Sequence, residues 1–244
     1  MLGGELAFAA ALAALLAAAL SLSIGAALAV AVALSMLLPG ALMATSFLVA
    51  AFLAPGGRGG LRDTLRALLS EAIAFTVVVL TMALRRDRLP AVEAGNGVPA
   101  QPRGPRPLLL IHGIVCNDNI WRAWLKPLQT AGFGPVRALN LEPLFADIEI
   151  HATRVAQELR ALQREADGAR VAIVAHSMGG LVARAALRLL GPACVSRIVT
   201  IATPHHGTRV ARCFPCLGST RQMLPGSAWL QAINAAQEGR LAAP

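Results

Sequence analysis

The stretch Val171-Ala-Ile-Val-Ala-His-Ser-Met-Gly-Gly180 constrains this chain more than any other. Val171 to Ala175 has the length and β-branched content of a buried strand. Leu181, Val182, Ala185, Ala186, Leu189 and Leu190 then recur at helical spacing until Gly191-Pro192. Ser177 falls between the two patterns. A strand that turns directly into a helix lifts the residue at the turn above the sheet. It needs small neighbours, because the close helix and the strained backbone leave no room. Ala175, Gly179 and Gly180 meet that need, with Ala175 standing where the usual G-x-S-x-G pattern has its first glycine. The start of the helix also offers the Met178 N–H to an anion.

Around this turn the chain is unusually apolar. Its 244 residues are 56% hydrophobic and 14% charged, and its mean hydropathy is +0.60, which calls for a membrane part. The net charge of +9 comes almost wholly from arginine, Lys126 being the exception. These cations are scattered, tyrosine is absent, and no zinc-finger, RNP or helix-turn-helix pattern occurs, so lipid rather than nucleic acid is the expected partner. Cys116, Cys194, Cys213 and Cys216 are too few and too unevenly placed for a disulfide framework. Cys213-Phe-Pro-Cys216 has C-x-x-C spacing without a second pair. It reads as a loop with two thiols or a local disulfide. No metal and no organic cofactor is called for.

From Leu6 to Gly57 no side chain is charged. As one helix those 52 residues would reach about 78 Å, against a hydrocarbon core of about 30 Å. Two spans broken near Ser21 to Gly25 or at Pro39-Gly40 fit better, and Leu65 to Leu84 supplies a third. A cleaved signal peptide is disfavoured because Met1 to Leu6 has no Lys or Arg. Glu71 within the third segment reads as snorkelling or as facing another helix. The arginines at 58, 62 and 66 compete with those at 85, 86 and 88 for the cytoplasmic side. The expected organisation is a multi-pass membrane region at 1–88, a Pro/Gly-rich linker at 89–106 and a folded domain at 107–244, placed outside the cytoplasm at a bacterial inner membrane. Within that domain Leu108 to Ile111, Val136 to Leu139, Val171 to Ala175 and Ile198 to Ala202 read as strands. Helical patterns at Ile120 to Thr130 and His151 to Ala166 alternate with them. Such alternation predicts an α/β fold with a parallel sheet, helices on both faces and reactive groups at the strands' carboxyl ends.

Acyl transfer by serine needs a nucleophile, a base, a group orienting the base, and donors for the oxyanion. Ser177 supplies the first. His112-Gly113, at the end of the first strand of the folded domain, brings the Ile114 N–H toward the spot the Met178 N–H faces, so these two amides are the expected oxyanion hole. The segments Leu110-Ile-His-Gly113, Ala175-His-Ser-Met-Gly-Gly180 and Thr200-Ile-Ala-Thr-Pro-His-His-Gly-Thr208 together resemble the lipase and esterase branch of the α/β-hydrolase superfamily, in particular membrane-anchored bacterial triacylglycerol lipases. The resemblance runs from Pro107 to Trp229. It implies cleavage of lipid carboxylic esters through an acyl-enzyme on Ser177, with Ile114 at the oxyanion. It also implies that His205 and His206 lie near the nucleophile without serving as its base. His112, Gly113 and His176 are expected beside the same site, His176 as a packed neighbour of the turn.

The chain departs from that family after the serine. Its order is Ser, then Asp or Glu, then His, yet Glu238 is the sole acidic residue beyond Ser177 and no histidine follows His206. Two expectations follow: an incomplete hydrolase whose last strand is an uncovered edge, or a hydrolase-like membrane protein with a binding or interaction role and no turnover.

Overall fold

The computed structural model describes residues 26, 45, 61–84, 89–90, 105–213 and 218–241. The chain divides into two compact units, Met1–Arg86 and Asp87–Pro244.

In the first unit α1 spans Leu61–Leu84, 24 residues, with Asp63 in its first turn where the helix dipole favours a negative charge. Ser70 and Thr81 donate back to the carbonyls of Ala67 and Val77, the usual recourse of hydroxyls inside a helix. Leu65, Leu69, Ile73 and Val77, four residues apart, form an exposed apolar row. The third expected span is thus a helix, but it carries Arg62, Asp63, Arg66 and Glu71. Among the described residues no helix is long and apolar enough to cross a membrane. The first two expected spans lie outside the described residues, apart from Ala26 and Thr45.

The second unit is built on a parallel sheet in the order β2-β1-β3-β4. Its strands are β1 at Leu108–Ile111, β2 at Val136–Leu139, β3 at Val171–His176 and β4 at Val195–Ile201. Between them lie α2 (Arg122–Thr130), α3 (Ile148–Glu165) and α4 (Met178–Leu190), and α5 (Gly218–Gln222) and α6 (Ala228–Leu241) follow. The central β1 has all four side chains buried, and its alternation divides them between two cores. Leu109 and Ile111 join Val171, Ile173 and Ala175 against α3 and α4. Leu108 and Leu110 join Val136, Trp121 and Leu89 on the other face. Each such leucine contributes roughly 1.5–3 kcal/mol by leaving water.

Helix α3 buries Ile148, Ala152, Val155, Leu159 and Leu162 at the spacing of one face. It begins three residues earlier than the His151 expected from the pattern, because Gln222 Oε1 accepts from the Ile148 N–H at 2.7 Å and satisfies a free amide of the first turn. Glu149 then accepts from Arg188 at 2.7 Å and Trp229 Nε1 at 2.8 Å, tying α3 to α4 and α6. The fourth strand also begins three residues before the sequence pattern suggests. It stops at Ile201 because Ala202 takes φ +50°, outside the range of a strand. Among the described residues β4 pairs with β3 alone, and its Val199 is exposed. Leu89, at the start of the expected linker, packs into the second core, and its N–H donates to the buried Asp118 at 2.9 Å.

Candidate active site

Ser177 stands between β3 and α4 at φ +53° and ψ −126°. A non-glycine residue there costs about 1–3 kcal/mol, so the surroundings must hold it. They do so through three hydrogen bonds to its backbone. The Ser177 N–H donates to Ile201 O at 2.8 Å, and the Ser177 carbonyl accepts from the Gly180 N–H at 3.1 Å and from Thr203 Oγ1 at 2.9 Å. Thr203, in the Thr-Pro-His-His segment, therefore helps fix the turn, a role its sequence position alone did not reveal.

The glycines around the turn are sites of close approach. A Cβ on Gly113 would lie 2.8 Å from Ser177 Cβ, and one on Gly179 would lie 2.5 Å from His112 O and 2.8 Å from Ile111 O. On Gly180 it would collide with Thr203. The loop after β1 is thus pressed against the serine. Ala175 keeps its methyl fully buried, so the departure from glycine is accommodated. Neither the Ile114 N–H nor the Met178 N–H finds an acceptor among the described residues. Ser177 itself is half-buried, and a tetrahedral oxyanion formed on it would require donors such as these two amides.

All five histidines are described, and none is hydrogen-bonded to the Ser177 hydroxyl. The His112 ring is buried, with Nδ1 2.7 Å from Gly113 O and Nε2 accepting from the Leu141 N–H at 2.9 Å. It therefore borders the site through its backbone, with the ring turned inward. His176 has a buried Nδ1 without a partner, 3.3 Å from where a Gly113 Cβ would be. Burial pushes its pKa down and keeps it neutral.

His205 is committed elsewhere. Arg184 Nη1 donates to its Nδ1 at 3.3 Å, so Nε2 carries the hydrogen and donates to Thr200 Oγ1 at 3.1 Å. Burial first, then the charges of Arg184 and His206, lower its pKa. Arg184 itself is anchored to Asn234 Oδ1 at 2.7 Å. With both nitrogens engaged, His205 fits the role of a bracing residue and not that of a base. His206 is exposed. His151, read from the sequence only as the start of a helix, is fully buried on α3 with neither ring nitrogen bonded, and its pKa is lowered by burial and by Arg154. Glu238 lies within α6.

The arrangement of strands, turn and loop has counterparts among known proteins. The family model described as "Putative serine esterase (DUF676)" matches residues 108–224. That span runs from the first residue of β1 through Ser177 to the segment after α5. Among solved structures, the mature lipase BlEst2 of Bacillus licheniformis is similar at a TM-score of 0.51 and 20% identity. The match covers 59% of this chain and 64% of that one. Its propeptide form gives 0.51 and 18%, covering 61% and 35%. The chain thus spans less than two thirds of these lipases. No curated protein matches the sequence. The parallel sheet with its flanking helices resembles part of an α/β-hydrolase fold.

Proposed function

We propose that this chain is a serine hydrolase acting on carboxylic esters of lipids, with Ser177 as the nucleophile and the amides of Ile114 and Met178 as the oxyanion hole. The observation that carries the reading is the strained Ser177 turn, held by Ile201, Thr203 and Gly180 and packed against the Gly113 loop. An enzyme gains most from donors already in place where charge develops, and a backbone strained for that purpose is a recurrent sign of it. The family match over 108–224 supports the same chemistry.

A lipid substrate is supported by the loops leaving the carboxyl ends of the strands. Val115 after β1, Phe145 after β2, Ile150 in the first turn of α3 and Val210 after β4 are all large, apolar and exposed, and the parallel sheet carries these connections to the end where Ser177 sits. The uncharged run from Leu6 to Gly57 and the exposed row on α1 support attachment of residues 1–88 to a membrane. In the proposed orientation the hydrolase unit lies outside the cytoplasm. Cys116 is a poor reporter of this, because burial pushes its thiol pKa up. A cysteine at the exposed position of Ala123, tested with an impermeant thiol reagent on intact cells, reports the side directly. Protection until the cells are opened would contradict the orientation.

The histidine geometry supports a second reading, a hydrolase-like protein that binds lipid without turning it over. With no imidazole bonded to Ser177, the hydroxyl is a weak nucleophile. A fluorophosphonate probe separates the two: covalent labelling that Ser177→Ala abolishes supports the hydrolase, and lipid retention without any labelling supports the binding protein.

A further inference from the structure

The two bonds of the His112 ring assign its protonation. A carbonyl oxygen accepts only, so Nδ1 must donate to Gly113 O, and a backbone N–H donates only, so Nε2 must be bare where it meets Leu141. Gly113 O belongs to the peptide unit whose nitrogen is that of Ile114. In a planar trans peptide the C=O and N–H point in opposite directions, so holding the oxygen sets the direction of the hydrogen.

We propose that His112 is a positioning residue, whose neutral Nδ1–H form, anchored by Leu141 on the loop after β2, aims the Ile114 N–H at the oxyanion that forms on Ser177. This rests on the hydrolase reading above and adds a pH gate to it. A protonated ring would set Nε2–H against the Leu141 N–H, donor facing donor, and the ring could not keep both bonds. The groups around it divide. Asp118, in the turn after β1, and Asn140, beside Leu141, favour the charged ring, whereas His151 on α3 opposes it. His176 on β3, across Gly113, is itself kept neutral by burial. Burial of His112 is the strongest influence and holds its pKa below the ordinary value of 6.5, so the clamp is closed at neutral pH and opens in acid.

Two measurements on the full 244-residue chain test this. The first is the nitrogen NMR spectrum of the His112 ring at pH 7, assigned by its loss in His112→Gln. A neutral ring protonated at Nδ1 is expected. A ring protonated at Nε2, or an imidazolium, overturns the proposal whether or not the chain reacts with anything. The second is the rate of fluorophosphonate inactivation, separated into the maximal rate and the half-saturating probe concentration. His112→Phe should lower the maximal rate about 100-fold, the effect of a displaced oxyanion donor, and leave the half-saturating concentration within about threefold, since probe binding does not use the donor. His112→Asn, whose side-chain amide can replace Nδ1–H toward Gly113, should recover about tenfold of that loss, and His112→Gln, which can meet only Leu141, should recover less. The wild-type maximal rate should fall with acid, and that of the Asn variant should not follow the same titration. A maximal rate unchanged in all three variants overturns the proposal, as does an effect confined to the half-saturating concentration. If the wild-type chain never reacts, the hydrolase reading fails and takes the oxyanion role with it, even where the NMR result confirms the clamp.

Discussion

The turn at Ser177 and the histidine loop after β4 are neighbours with opposite characters. At the serine, strain is concentrated and held: an unfavourable φ, three backbone hydrogen bonds and glycines where a methyl would collide. Among the described residues two amides there, those of Ile114 and Met178, find no acceptor. In the histidine loop, the His205 ring is bonded within the protein. His205 is engaged at both nitrogens and its bonded neighbour Arg184 is anchored in turn to Asn234. A reactive site keeps donors unsatisfied toward its substrate, whereas a structural brace satisfies them internally. By that criterion the Ser177 turn has the character of a reactive site, in keeping with the proposed function, and His205 that of a brace.

The largest break in this comparison is expected from Gly179→Ala. Its methyl would meet two backbone carbonyls, those of His112 and Ile111, which cannot move aside as a flexible side chain can. Displacing the Gly113 loop by even about 1 Å should slow probe labelling of Ser177 by about 100-fold, measured as a rate, with overpacking costing about 1–3 kcal/mol in a denaturant melt. Labelling at the wild-type rate would mean that the loop is not part of the site.

Acid should act on both regions together. His112, His151, His176 and His205 all have pKa values lowered, each chiefly by burial. The unfolded chain then binds more protons than the folded one below about pH 6.5, so stability rises with pH through that range and is fully present above it. Denaturant midpoints should fall steadily from pH 7 to pH 5, and a flat profile would contradict the burial of these rings.

Thr203→Val sharpens the contrast at smaller scale. It removes the donor to Ser177 O at 2.9 Å without changing the volume much, and a net loss of about 0.5–1.5 kcal/mol is expected, with slower labelling because the turn is less firmly held. His205→Asn should have the smallest effect on reactivity. If His205 braces Arg184 and Thr200, labelling stays within about threefold of wild type. A loss of about 100-fold, the lower end of what a catalytic acid or base contributes, would instead make His205 the base.

Strands were more legible in the sequence than side-chain directions. Leu108–Ile111 occupies the residues that its short apolar run indicates, because a strand buried on both faces has no polar residue to blur its ends, and Val136–Leu139 does so although its Arg137 pairs with Glu158 and Glu165. The start of α3 was less visible, since Gln222 lies 74 positions away from the Ile148 amide it satisfies. The same distance effect hid the histidines. Motif order placed His112 and His205 at the correct strand ends, but Leu141 and Arg184, which decide where their rings point, are 29 and 21 positions away. His151 carried no signal at all, because a histidine on the apolar face of a helix reads as one more buried position.

The central claim is that Ser177 is a nucleophile in a preformed oxyanion site. It is tested most directly by incubating the full chain with a fluorophosphonate and mapping the adduct by mass spectrometry. The account predicts a single phosphonylated serine, Ser177, formed slowly because no imidazole is bonded to it. The adduct should be absent from Ser177→Ala and should form faster at pH 8 than at pH 5. An adduct on another residue, or none at saturating probe over many hours in folded protein, would contradict it.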